Sequence, residues 1–321
     1  MRALIVGCGR IAGGYNRGTD DAMVVTHALA YRRHPDYSIA ACVDPHAEAR
    51  VAFAKQWGIA KAYASIEEAL AAESYDIVSV CSPTGTHLDA LETLLTSDVR
   101  RVFAEKPLDG DVGRARNVAD RYAASGRALA INFTRRWDED MQRLRGEIAA
   151  GAWGTLGSIV GWYGRGILNN GSHMIDLAAF LTGRQMTVSF VGQCRDDGVS
   201  GDPTVDAILE LDGASFHLVG CDNRAYARFE MTLSFTGGVI EIVEGGLFVR
   251  GRKVQKSDVF AGTDIAGEGV RRATGYGTAM LRALDEFRDW QPSTSMTSAP
   301  ESAISSIEIA LDIRRKAGVA A

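Results

Sequence analysis

An apolar run, "RALIVG", opens the chain and passes without a break into Gly7-Cys8-Gly9-Arg10-Ile11-Ala12. Few short stretches restrict so severely what can follow. A strand ending in G-x-G-x-x-A must turn sharply at the first glycine, leave its backbone bare at the second, and pack a helix against itself at the small third position. The arrangement points unpaired main-chain N–H groups outward at a helix start, which suits a pyrophosphate. Gly7, Gly9, Arg10 and Ile11 are therefore the first candidate dinucleotide contacts. An ordinary glycine-rich turn would satisfy the same letters, but here strand, turn and helix fall in the required order.

The rest of the first third alternates short apolar runs with helical patterns: "THALAYRRH", "YSIAACVD", "EARVAFAKQWG", "DIVSVCS", "THLDALETLL" and "RRVFAEKP". Such alternation predicts a parallel sheet covered by helices on both faces. The second strand ends at Asp44, where a dinucleotide fold places an acid to accept hydrogen bonds from the adenosine ribose. A strand-ending Asp before Pro45 with no such role is the plainer reading. Asp44 comes later than the usual offset of about 20 residues. An insertion at "GYNRGTDDAMVV" (Gly14 to Val25) accounts for the excess, because helical periodicity resumes at Thr26. Tyr15 to Val25 then form either a loop partly covering the dinucleotide or substrate entrance, or an exposed loop with no role. A carboxylate facing a 2'-phosphate would be repelled by about 4 kcal/mol at about 4 Å and intermediate screening. Asp44 thus favours NAD over NADP, a preference that the nearby His46 and Arg50 could soften.

With 321 residues the chain exceeds a single core, so two domains are expected. Charged residues are 23 % and the net charge is -5, which argues against nucleic-acid or membrane partners and for small-molecule chemistry. Cys8, Cys42, Cys81, Cys194 and Cys221 are scattered, with no C-x-x-C pair and no histidine at zinc spacing. No metal site is expected, and reduced thiols fit a cytoplasm. No segment approaches the roughly 18 to 20 apolar residues of a membrane span, and "MRALIVGCGR" is too short and glycine-rich for a signal peptide.

Two further stretches are "CSPTGTH" (Cys81 to His87), after the fourth strand, and "FAEKPL" (Phe103 to Leu108), after the fifth. With the glycine turn they resemble the glucose/fructose oxidoreductase, inositol dehydrogenase and rhizopine catabolism family, Gfo/Idh/MocA. "INFTRRWDEDMQRLRGEIAAGAWGTLGSI" resembles that family's connection into a second domain, "RGILNNGSHMIDLAAFLTG" its catalytic helix, and "SAPESAISSIEIALDIRRKAG" its closing helix. The resemblance implies an α/β fold with a Rossmann dinucleotide-binding domain over residues 1–133. An α+β domain over 134–321, built on a large, mostly antiparallel open sheet, would bind substrate and mediate oligomerisation. It also implies Ser82, Pro83, Thr84, His87, Glu105 and Lys106 as cofactor contacts, with Lys106 near the nicotinamide ribose and the substrate. A lysine at the carboxyl end of a parallel strand sits where ligands bind in open α/β sheets, and its ammonium can polarise an oxygen. The plainer alternative is a surface lysine before a helix. Glu105 is either a structural partner of Lys106 or a cofactor contact.

In the family the catalytic helix begins with an aspartate, three residues and a histidine that exchanges a proton with the substrate hydroxyl. By position the histidine is His173, but the aspartate is replaced by Asn169. A spacing of four on a helix puts both side chains on one face. Asparagine can hydrogen-bond a hydroxyl yet cannot support an imidazolium by charge. Imidazole suits proton exchange near neutral pH, while a satisfied histidine at a helix start is the alternative. Asp176 either orients the ring or caps the helix. Leu177, Ala178, Phe180 and Leu181 should be buried. The connection carrying Arg135, Arg136 and Trp137 borders the substrate site in the family, so an arginine there could grip a phosphate or carboxylate, or form a salt bridge. Tyr163, Arg165 and Asn170 are further candidates for the substrate wall.

After His173 come "MTVSFVGQ", "TVDAILEL", "ASFHLVGC", "ARFEMTLSF", "GVIEIV" and "GLFVRGRK", punctuated by Asp212-Gly213 and Gly237-Gly238. They predict an antiparallel meander. The resemblance makes its outer face, if apolar, a subunit interface of a homodimer or homotetramer. The expected activity is hydride transfer between NAD and a hydroxyl or keto carbon of a sugar, polyol or nucleotide-sugar. The alternatives are glycoside cleavage through transient oxidation, and a dinucleotide sensor without catalysis.

Overall fold

The computed structural model describes residues 1–16 and 21–319. The chain divides into two compact units, Met1–Trp137 with Gly277–Ile304, and Asp138–Tyr276 with Ser305–Ala321. It therefore leaves the first unit and returns to it, where a single cut after residue 133 was expected.

In the first unit the strands are β1 (Arg2–Val6), β2 (Ser38–Val43), β3 (Ala62–Tyr63), β4 (Ile77–Val80), β5 (Arg101–Ala104) and β6 (Ala128–Ile131). They form a parallel sheet in the order β3-β2-β1-β4-β5-β6. Helices α1 (His27–Arg33), α2 (Ala47–Trp57), α3 (Ile66–Ala72), α4 (His87–Leu95) and α5 (Val112–Ala124) connect them. Strand alternation feeds two cores: Ala3 and Ile5 enter one, Leu4 and Val6 the other. The helix Ala279–Asp289 places Ala279, Met280, Ala283, Leu284 and Phe287 in the first of these cores. That apolar stripe at helical spacing is why the return segment belongs with the dinucleotide-type sheet.

After the glycine turn the chain makes one wide turn, Arg10–Gly14, and α1 begins only after Thr26, whose Oγ accepts the Leu29 N–H at 3.4 Å. The intervening insertion is tied across its base. Thr26 Oγ donates to Asn16 Oδ1 at 2.6 Å, and the buried Asn16 donates to Asp21 Oδ2 at 2.9 Å and to Met23 O at 3.1 Å. Arg17 to Asp20, the centre of the expected covering loop, lie outside the described residues.

The second unit starts with α6 (Glu139–Ala149), β7 (Leu156–Tyr163) and α7 (Ser172–Thr182). Then follow β8 (Thr187–Arg195), β9 (Thr204–Leu211), β10 (Ala214–Gly220), β11 (Phe229–Phe235), β12 (Gly238–Val243), β13 (Phe248–Lys256), β14 (Asp264–Ala266) and β15 (Val270–Ala273). The sheet order is β14-β13-β12-β11-β7-β10-β9-β8, with β15 beside β13. All pairs are antiparallel except β7 with β10, so the meander is interrupted at its centre by one parallel pair. Gly161 in β7 makes room for α7. A Cβ there would lie 2.8 Å from Met174 Cγ and 2.9 Å from Phe216 Cε2.

Candidate active site

In the first unit, the sheet's hydrogen bonding continues past the strand ends and brings their loops into register. Gly7 N–H bonds Val43 O at 2.7 Å, Cys81 N–H bonds Val6 O at 2.7 Å, Glu105 N–H bonds Val80 O at 2.8 Å, and Asn132 N–H bonds Ala104 O at 2.8 Å. Gly7, at φ +90°, admits no side chain, since a Cβ would sit 2.5 Å from Ser82 N. Around Gly9 the corresponding space is empty, as close approach of a phosphate requires. Ala12 is fully buried, and the neighbouring Gly13 is also obligatory, because a Cβ there would lie 2.3 Å from Trp57 Nε1.

A cleft of about 670 Å³ opens at this edge, lined by Gly7, Cys8, Gly9, Asp44, Ser82 and Pro83 among the expected segments. Pro45, His46, Ser65, Ile66 and Glu67 line it as well. From the loop after β4 it is Thr86, rather than Thr84, that reaches the lining, with Thr86 Oγ 2.8 Å from both Ser82 Oγ and Pro83 O. The carboxylate of Asp44 accepts the Cys8 N–H and the His46 N–H, each at 2.9 Å. Arg50 directs its donors to the carbonyls of Asp44, at 3.0 Å, and Pro45, at 3.4 Å. Arg10 and Ile11 stand beyond the lining, in the wide turn. No motif marks the wall at Ser65 to Glu67. Its only signal in residue order is a place at the carboxyl end of the strand next to Asp44.

The cysteines are all free. A hydrogen bond with Cys42, together with burial, pushes the Cys8 thiol up.

His87 does not face the cleft. Its ring is 1 % exposed, with Nδ1 2.9 Å from Pro107 O and Nε2 2.7 Å from Ser82 O, so it clasps the loop after β4 to the loop after β5. Glu105 is also buried, with both carboxylate oxygens bound within the protein. Oε1 accepts from His27 Nε2 at 3.0 Å and from Asn132 Nδ2 at 2.6 Å, while Oε2 accepts the Lys106 N–H at 3.3 Å. Burial raises the Glu105 pKa, but His27, Asn132 and the Lys106 charge outweigh it and hold the carboxyl below its ordinary range. Lys106 itself is half-buried.

Arg136 is corrected as a substrate-wall candidate. It is 8 % exposed and donates to Thr297 O at 3.3 Å, inside the first unit. Trp137 is buried beside it and donates to Glu286 Oε2 at 2.5 Å. Arg135 is half-buried in the same turn.

In the second unit, α7 is entered through a wide turn, Gly166–Gly171, which holds Asn169 and Asn170. Asn169 therefore lies ahead of the helix proper, and His173 is the second residue of α7. Asp202 fixes the turn by accepting the N–H groups of Leu168 and Asn169, each at 2.9 Å. Burial raises the Asp202 pKa against the opposing effect of those two bonds. Arg165 precedes the turn in the left-handed region, at φ 66°, with its N–H on Asp197 Oδ2 and its side chain exposed. Half-buried His173 meets the Phe229 ring edge-to-face at 6.5 Å. Asp176 is buried within α7, as are Leu177, Ala178, Phe180 and Leu181.

Tyr163 is a second correction. Its side chain is wholly buried, its hydroxyl donates to Val205 O at 2.6 Å and accepts Val205 N–H at 2.9 Å, and it faces the core side of β7. Burial pushes its phenol pKa up.

Among the described residues no cluster of three or more His, Cys, Asp or Glu could hold a metal ion, and no helix is long and apolar enough to cross a membrane.

Comparison with known proteins places these features. Residues 1–133 match the GFO_IDH_MocA model, described as an oxidoreductase family with an NAD-binding Rossmann fold. D-glucoside 3-dehydrogenase of Escherichia coli is 27% identical over 57% of this chain and 54% of its own length. Inositol 2-dehydrogenase of Renibacterium salmoninarum is 29% identical over 58% and 56%. The chain thus matches little more than half the length of these relatives. The crystal structure of an oxidoreductase from Agrobacterium radiobacter, in complex with NAD+, L-tartaric acid and magnesium, superposes with a TM-score of 0.75 at 15% identity, covering 99% of this chain and 96% of the other. That likeness extends the shared fold to both units. Residues 1–133 are thus similar to the NAD-binding Rossmann domain of the Gfo/Idh/MocA oxidoreductases, and the chain as a whole shares the fold of the solved structures it resembles.

Proposed function

We propose that this protein is an NAD-dependent dehydrogenase acting on a hydroxyl or keto carbon of a sugar, polyol or nucleotide-sugar. The observation that carries the reading is Lys106, placed at the carboxyl end of β5 with its main-chain N–H on the buried Glu105 carboxylate, one strand from the loop that borders the cleft at the glycine turn. NAD, when bound, takes up or releases the hydride. Gly7 and Gly9 accommodate the pyrophosphate, and Asp44 receives the ribose hydroxyls and disfavours a 2'-phosphate. The Lys106 ammonium stabilises negative charge developing on the substrate oxygen. His173 exchanges the hydroxyl proton, with Asn169 as a hydrogen-bonding neighbour in place of a carboxylate. Arg165, Arg135 and Asn170 supply polar contacts to substrate. The relatives' substrates, a glucoside and inositol, support the polyol class.

The protein acts in the cytoplasm as a homodimer or homotetramer through the outer face of the second unit's sheet. That face is mixed. Val160, Trp162, Val239 and Val243 are half-buried on it beside the Glu241 pairs with Arg250 and Arg252. A dinucleotide-sensing role is favoured by one observation, Asn169 in place of the acid. Steady-state reduction of NAD by a panel of inositols, glucosides and sugar nucleotides separates the readings. Net NADH formation with one class supports the dehydrogenase, and NADH binding without turnover of any member sinks it.

A further inference from the structure

The helix that follows the insertion contributes a side chain to the network beneath Lys106. His27 opens α1 and is 1 % exposed, with its ring 4.6 Å from that of Phe103 in β5. Its Nε2 lies 3.0 Å from Glu105 Oε1 and its Nδ1 2.8 Å from Ser79 Oγ, and Tyr31 OH lies 2.7 Å from the same Ser79 Oγ. Ser79 and Tyr31 are as deeply buried as His27.

The placement of hydrogens sets the direction of this chain. An ionised Glu105 only accepts, so His27 Nε2 carries a hydrogen. Nδ1 then accepts the Ser79 O–H, and the Tyr31 O–H donates to Ser79 Oγ. Every hydrogen has an acceptor. The opposite direction would leave the Tyr31 hydrogen without one in a dry site, which is costly. The titratable or charged groups facing Glu105 are His27 from α1, Cys81 at the end of β4, and Lys106 beside it, with Tyr31 one link beyond.

We propose that His27 is a positioning residue for hydride transfer: its Nε2–H holds the Glu105 carboxylate ionised and oriented, and Glu105 in turn fixes the main chain and the charge environment of Lys106. The inference rests on the dehydrogenase reading for its kinetic consequence, but not for its chemical one. A carboxylate that loses a buried donor becomes easier to protonate and free to turn away. Lys106 then loses its oriented counter-charge. Leucine at position 27 removes both hydrogen bonds at similar volume, whereas glutamine can donate to Glu105 and accept from Ser79.

The test compares the full-length protein with His27→Leu and His27→Gln. Acetic anhydride labelling at about pH 8, read by peptide mass spectrometry, should acetylate Lys106 about threefold faster in His27→Leu, and at nearly the unmutated rate in His27→Gln. With whichever polyol is turned over, kcat of His27→Leu should fall about tenfold or more, with its acidic limb moved to higher pH and NADH affinity within about twofold. His27→Gln should recover most of both. Unchanged Lys106 labelling in His27→Leu, or a pH-independent loss that simply follows a lower Tm, would overturn the proposal and leave His27 a packing residue. Should His27→Leu not fold, Ser79→Ala removes both the donor to His27 Nδ1 and the acceptor of the Tyr31 O–H, leaves the imidazole free to turn from Glu105, and is read by the same labelling contrast. If no polyol is turned over by the unmutated protein, the dehydrogenase reading fails, and the labelling still decides the role of His27.

Discussion

Asp44 Oδ2 accepts the main-chain N–H of Cys8 at 2.9 Å, so the acid that ends β2 also braces the glycine turn that follows β1. Its other oxygen is bound by His46 N–H at 2.9 Å, which fixes the carboxylate plane against the cleft. One side chain thereby joins the two elements that a dinucleotide must touch at once.

Cofactor choice and turn geometry are consequently coupled. The unmutated protein should bind NADH more tightly than NADPH. Asp44→Ala should narrow the gap from both sides, admitting NADPH while weakening NADH by about tenfold, because a charge-assisted bond to the turn disappears with the ribose acceptor. Nicotinamide fluorescence titration measures both. Equal or tighter NADPH binding by the unmutated protein would refute the role given to Asp44.

Asp202 should matter to the second unit as Asp44 does to the first. Its carboxylate caps the entry to α7 from 33 residues beyond Asn169. Asp202→Ala removes the acceptor of two part-buried main-chain donors, at a cost of about 1–3 kcal/mol. A lower urea midpoint with unchanged NADH affinity is the expected result, with Asp202→Asn in between. An unaltered midpoint would mean that water replaces the carboxylate without loss.

Much of this arrangement can be read from residue order. The parallel sheet is legible because "RALIV" and "DIVSV" are unbroken apolar runs, as strands covered on both faces must be. Asp44 is legible because it ends such a run. Asp202 is not, since nothing local marks a carboxylate that serves a turn so distant in sequence. Tyr163 and Arg136 look like substrate wall only from their neighbours in the chain. Strand alternation turns Tyr163 to the core, and Thr297 lies on the return segment, whose packing partner an amphipathic stripe cannot name. His27 sits in "THALAYRRH", where a helical pattern shows that a face is buried but not what waits on the other side.

The net lowering of the Glu105 pKa makes a stability prediction with a definite sign. With its folded value below the unfolded one, near 4.3 for a glutamate, the carboxylate contributes stability above about pH 4.3. That contribution is lost as pH falls through the folded value. Glu105→Gln cannot titrate and loses the acceptor for the Lys106 N–H, so it should be less stable by about 1–3 kcal/mol at neutral pH. The gap should close on acidification. Urea unfolding of both proteins at neutral and acid pH measures it, and a gap that widens in acid would contradict the pKa direction.

His173 and Asn169 provide the most direct test of the chemistry. If His173 carries the hydroxyl proton, His173→Ala should lower kcat by about 10²- to 10⁴-fold and leave NADH affinity nearly intact, because imidazole takes part in turnover and not in dinucleotide binding. Asn169→Asp keeps the main-chain N–H that Asp202 accepts, so the turn into α7 should survive the change. It adds a negative charge to a site that lacks the family's acid. A carboxylate near the ring favours the imidazolium, so the acidic limb of the pH-rate profile should move to higher pH. Asp202 is already raised by burial, and the new charge would raise it further. Asn169→Asp in an Asp202→Asn background removes that second titration and isolates the effect on His173. A limb that stays in place in both proteins would show that Asn169 and His173 do not act on the same atom, and full activity of His173→Ala would end the assignment.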